Sequence, residues 1–85
     1  MALAVLTATF NGAQPLDGDL PYVDISGLTY SAASAYGIGL SVAQTDIASG
    51  LITAAVKGTS KTASGFRVCV SDQFTGTVEI ELWDR

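Results

Sequence analysis

The sequence predicts an all-β fold: a small antiparallel β-sandwich of about six strands. Two observations carry this. Apolar residues recur with period two over most of the chain, as in "FRVCV" and "VEIEL". Clusters of turn residues interrupt that pattern at roughly twelve-residue intervals. With 85 residues, the chain forms one domain spanning residues 1–85.

The first strand runs from about Leu3 to Phe10 and stops at Asn11-Gly12, a strong turn dipeptide. A loop, "AQPLDGDLP", follows, with Pro15, Gly18 and Pro21 as breakers. "YVDISGL" is the second strand. "SAASAY" is too short for more than a single helical turn. "YGIGLSVA" is the third strand. Its Gly37 and Gly39 share one face, which predicts a bend, a bulge or a closely approaching neighbour. The stretch "QTDIASG" forms a turn. "LITAAVKG", "GFRVCVS" and "TVEIELW" supply the fourth, fifth and sixth strands.

Alternation puts Phe66, Val68 and Val70 on one face, and Val78, Ile80 and Leu82 on another. Pairing these last two strands as a hairpin around Gln73-Phe74-Thr75 directs both sets to the core. Arg67 and Cys69 then lie opposite Glu79 and Glu81. A cross-strand ion pair from Arg67 to one of these glutamates would contribute roughly 0.2–1 kcal/mol.

Composition speaks to partners. The chain is 48% hydrophobic and 14% charged, well below the roughly 25% charge of an average soluble domain. Its surface must be rich in Ala, Gly, Ser and Thr, which suits close packing on a neighbour. A domain this small has a limited core and is usually stapled. Cys69 is the only cysteine and there is no histidine, so neither a disulfide nor a Cys/His zinc site can serve. Self-association is the remaining common staple, and a homo-oligomer is expected. The uncharged first strand leaves an edge open to pairing or exchange with another subunit.

The net charge of −4, with only Lys57, Lys61, Arg67 and Arg85 basic, argues against nucleic-acid binding. No apolar run reaches the roughly 18 residues of a membrane span. "MALAVLTATF" lacks the basic start of a secretory signal, so none is expected.

Catalytic constellations are not found. Histidine bases, GxSxG, SxxK and P-loop motifs are absent, and "YGIG" lacks the third glycine of a dinucleotide fingerprint. The chain is expected not to be an enzyme and to need no cofactor. Glu79 and Glu81 would stand about 7 Å apart on one strand face, within the range of inverting glycosidase carboxylates, but with no pocket or burial signal beside them they read as an exposed, edge-protecting strand face. Asp17, Asp19 and Asp24 do not meet EF-hand spacing and read as turn residues. Cys69, with no activating partner in sequence, reads as a packing residue. The candidate interface or ligand contacts are the aromatics Tyr30, Tyr36, Phe74 and Trp83. Phe74 sits at a predicted loop tip, where exposure would mark a contact.

The stretch "ITAAVKGTSKTASGFRVCVSDQFTGTVEIELW" resembles the C-terminal part of the H-type lectin-like fold. The matching pattern is Ile52 to Val56, a Thr/Ser-rich turn to Gly65-Phe66, Val68 to Val70, and a last strand from Val78 to Trp83. "TATF" and "PYVDISGL" sit where that family has its first two strands. The resemblance implies a six-stranded sandwich, commonly trimeric, of the kind found in animal lectins and in bacteriophage tail-fibre, neck and head-decoration proteins. It implies a virion structural protein, made in the host cytoplasm and contacting other virion proteins. A carbohydrate-binding module is the alternative it carries.

Overall fold

The apolar sets of the two C-terminal strands do point inward. Val68, Val70, Val78, Ile80 and Leu82 are each at most 2% exposed in the computed structural model, which describes residues 2–45 and 50–85. The strands in chain order are β1 (Ala2–Asn11), β2 (Leu16–Asp17), β3 (Leu20–Ile25), β4 (Tyr36–Gln44), β5 (Ala54–Val56), β6 (Phe66–Val70) and β7 (Thr75–Asp84). They form two antiparallel sheets, ordered β1-β7-β4 and β2-β3-β6-β5. The sheets pack face to face as a small all-β sandwich, with Phe10, Tyr36, Phe66 and Phe74 among the aliphatic residues between them.

The predicted hairpin of the last two strands does not form. β6 pairs with β3 and β5, whereas β7 is the central strand of the other sheet. The two strands face each other across the core instead of lying side by side. Alternation fixes which face is apolar, and that face looks the same for a neighbour in the sheet or opposite it. The connection at residues 71–74 is an arch. Its last residue, Phe74, is 2% exposed and stacks on Phe10 with ring centroids 5.0 Å apart. A reciprocal amide pair clamps the arch: Gln73 donates to the Gln14 carbonyl at 2.9 Å, and the Gln14 N–H donates to Gln73 Oε1 at 3.0 Å.

Other elements shift for local reasons. "DGDL" closes a miniature hairpin, with Gly18 at φ +63°, so a two-residue β2 stands inside the predicted loop. The predicted second strand ends at Ile25, because Gly27 turns at φ +82° and Leu28 and Tyr30 then bond to residues 64 and 63. The fourth predicted strand is regular only over Ala54–Val56. "SAASAY" carries one 3-10 turn, Ala33–Ala35. β1 pairs with β7 of its own chain, with an irregularity between Ala2 and Ala4. Most of the "QTDIASG" turn, at residues 46–49, lies outside the described residues.

Candidate functional site

Polar and aromatic side chains gather in two places. The first is the outer face of the four-stranded sheet. Asp24 and Arg67 are direct cross-strand partners on β3 and β6. The Arg67 guanidinium grips Asp24 with two bonds, Nε to Oδ1 at 2.7 Å and Nη2 to Oδ2 at 3.1 Å. Its Nη1 donates to Asp17 Oδ2 at 3.0 Å, which also accepts Lys57 Nζ at 2.7 Å. The guanidinium lies 3.8 Å from the centroid of the Tyr22 ring, a cation–π contact.

Arg67 therefore does not pair with Glu79 or Glu81. Those glutamates lie on the outer face of the other sheet, Glu79 between Thr7 and Ser41, Glu81 between Val5 and Gly39. The hairpin that would have joined them to Arg67 is absent, and both are exposed. Among the described residues neither has an ion-pair partner.

Hydrogen bonds from Lys57 and Arg67 hold the Asp17 carboxyl below the usual carboxylate range, and Arg67 does the same for Asp24. The Arg67 guanidinium is held still more firmly charged by Asp24 and Asp17. Carboxylates lowered in the folded state contribute stability that is complete above their unfolded pKa, about 3.9. That contribution is lost as pH falls through the folded value. The difference in urea midpoint between wild type and Arg67→Met is therefore expected to be greatest above about pH 5 and to close on acidification. A difference constant down to about pH 2 would mean that Arg67 acts only by packing on Tyr22.

The second cluster is at one end of the sandwich and holds Tyr30 and Tyr36, with Trp83 on the opposite face of the same sheet. Tyr30 stacks on Tyr36 at 4.3 Å. Tyr36 is fully buried and donates its hydroxyl to the Thr62 carbonyl at 2.7 Å. Lys61 Nζ lies 4.4 Å from the centre of the Tyr36 ring and donates to the Tyr36 carbonyl at 2.7 Å. Burial raises the Tyr36 phenol above its ordinary pKa, so it stays a donor. Trp83 lies across Gly37 and Gly39. A Cβ at Gly37 would be 2.5 Å from the indole, so the glycine pair on one strand face exists for this neighbour. A shallow cleft of about 330 Å³ opens beside Trp83, with Ile38, Val56, Lys61 and Arg85 on its walls.

Two of the predicted contacts are not surface residues. Tyr36 is 0% exposed, and Phe74 belongs to the opposite, Phe10 end of the core. The loop tip expected to display Phe74 turns inward because the arch must fill the gap between two sheets. Tyr30 and Trp83 remain partly exposed.

Reactive chemistry is not assembled at either cluster. The Cys69 thiol is buried on the outer face of β6, and burial pushes its pKa up, away from thiolate. Among the described residues, no three His, Cys, Asp or Glu side chains are grouped so as to hold a metal ion. No family model, curated protein or solved structure matches the chain.

Proposed function

We propose that this chain is a non-enzymatic structural protein of a bacteriophage particle, acting by packing against copies of itself and against other virion proteins. The observation that supports assembly is the open flank of the core. Ile38, Leu40 and Val42 point into the sandwich from β4 but are only partly buried, and β5 in the opposite sheet is only three residues long. Apolar side chains left half-covered beside an uncharged strand favour further burial, at about 25 cal/mol per Å² of apolar area.

The ion pairs point the same way. Lys57 and Arg67 already engage Asp17 and Asp24, so the outer charges fasten the fold. Of the four predicted contacts, with Tyr36 and Phe74 buried, carbohydrate stacking would fall to the partly exposed Tyr30 and Trp83. Packing is the stronger reading. Quantitative mass spectrometry of purified particles from the source tests it. The expected result is this chain in fixed stoichiometry with the major virion proteins; its absence from the particles would overturn the virion assignment.

A further inference from the structure

β4 carries nine residues, "YGIGLSVAQ", without a charge, and among the described residues it pairs on one side only, with β7. Which of its backbone groups face the open side follows from two bonds. Thr45 donates its N–H to the Thr75 carbonyl, and the Ala35 carbonyl accepts from the Arg85 N–H, each at 3.0 Å. Odd-numbered positions thus turn toward β7. In an antiparallel strand the N–H and C=O of one residue point to the same side, and that side alternates along the chain. The even-numbered residues therefore turn outward. The Tyr36 carbonyl, the first of them, is capped by Lys61 Nζ from that open side at 2.7 Å. After it come Ile38, Leu40 and Val42, the residues whose side chains are half-covered in the core.

One edge thus presents free backbone donors and acceptors together with unfinished apolar burial. We infer, building on the assembly reading, that a second copy of this chain pairs antiparallel with β4 about a two-fold axis centred on Leu40. In that register Leu40 faces Leu40 of the second copy, and Ile38 faces Val42 of the second copy. These are hydrogen-bonded pairs of an antiparallel ladder, with two bonds each. Every outward N–H and C=O of the three residues is then used. Inward-facing residues oppose inward-facing residues, so the two cores become one layer. On the outer face Gly39 meets Ser41 and Gly37 meets Ala43, small residues that do not obstruct the approach.

The β1 edge fits less well. It is irregular between Ala2 and Ala4, and of its inward residues Ala4 and Leu6 are partly buried whereas Ala8 and Phe10 are already 2% and 1% exposed. An irregular edge is a poor template for a partner strand. Lys61 guards only the first carbonyl of β4, and no other charge stands on that strand.

Val42→Pro tests the edge directly. Proline is tolerated on an edge strand where the lost N–H faces solvent, so the fold of the single chain is spared. It removes one donor from each copy and sets a ring against the partner carbonyl. Val42→Ala keeps the donor and controls for the side chain. By light scattering, wild type and Val42→Ala are expected at about twice the chain mass of 8.7 kDa, and Val42→Pro at that mass itself, with an unchanged circular dichroism spectrum. Should Val42→Pro not fold, an amide-to-ester replacement at Val42, made by chemical ligation, deletes the same donor without the ring and is expected to weaken the dimer. An assembled Val42→Pro, an unweakened ester, or a wild-type mass of three chains would overturn the β4 assignment and leave self-assembly standing. A wild type at one chain mass across all concentrations would overturn self-assembly itself.

Discussion

Replacing Phe74 with alanine is expected to cost about 3–5 kcal/mol of unfolding free energy, the range for truncating a buried phenylalanine. The side chain is 2% exposed and stacks on Phe10, so its loss leaves a cavity between the two sheets. It also unplugs the arch that carries the chain from β6 to β7. For a domain whose whole stability is roughly 5–15 kcal/mol, this is a large fraction. Urea unfolding measures it. A surface contact residue would instead shift stability by about 0.5 kcal/mol or less. A near-neutral Phe74→Ala would therefore place the ring outside the core and return the last two strands to a hairpin.

The second large effect is at Gly65. A Cβ there would be 2.0 Å from the Ile25 carbonyl oxygen. The obstacle is backbone, so no rotamer change relieves it. Overpacking of a well-filled site typically costs about 1–3 kcal/mol and occasionally more, and Gly65→Ala belongs at or above the upper end. Several consequences compound. The Gly65 carbonyl also receives the Thr62 N–H at 2.8 Å, and Leu28 bonds to the adjacent Ser64 carbonyl at 2.9 Å. Moving the loop to clear the methyl group would strain both. Gly58→Ala is the control. Its Cβ would enter open space, and its backbone is not left-handed. That variant is expected to be neutral or more stable by about 0.4–1 kcal/mol, through reduced freedom of the unfolded chain. Thermal melts of the pair separate steric exclusion at Gly65 from a general intolerance of glycine loss.

Much of the architecture was legible in the residues. Period-two alternation located the strands and chose the buried face of β6 and β7 correctly. The two glycines on one face of β4 pointed to a bend, a bulge or a close neighbour, and it is the neighbour, Trp83, that is found. Partner choice was not legible. An alternating strand buries the same face whether its companion is hydrogen-bonded beside it or packed across the core, and the arch at residues 71–74 is as short as a hairpin loop. That one ambiguity moved Phe74 from loop tip to core. It also moved Arg67 from Glu79 and Glu81 to Asp24 and Asp17.

The correct pairing left a trace in the sequence. Tyr22 and Asp24 alternate with the inward-facing Val23 and Ile25 just as Arg67 alternates with Phe66 and Val68. Two outer-face residues of opposite charge on separate strands are natural cross-strand partners. The absence of basic residues before Lys57 has its physical sense here: the early carboxylates Asp17 and Asp24 are answered by Lys57 and Arg67, about forty to fifty positions later. Such long-range pairing costs loop-closure entropy but is invisible to local patterns. The reciprocal Gln14–Gln73 clamp had no local signature at all.

The most direct measurement of the central claim is residue-resolved amide hydrogen exchange along β4 at two protein concentrations. Gly39 and Ser41 face β7 and are expected to be protected at both. Ile38, Leu40 and Val42 face the open edge and are expected to exchange quickly when dilute and to become protected when concentrated. Rapid exchange of these three amides at every concentration would show that no second copy pairs with this edge, and would contradict the account.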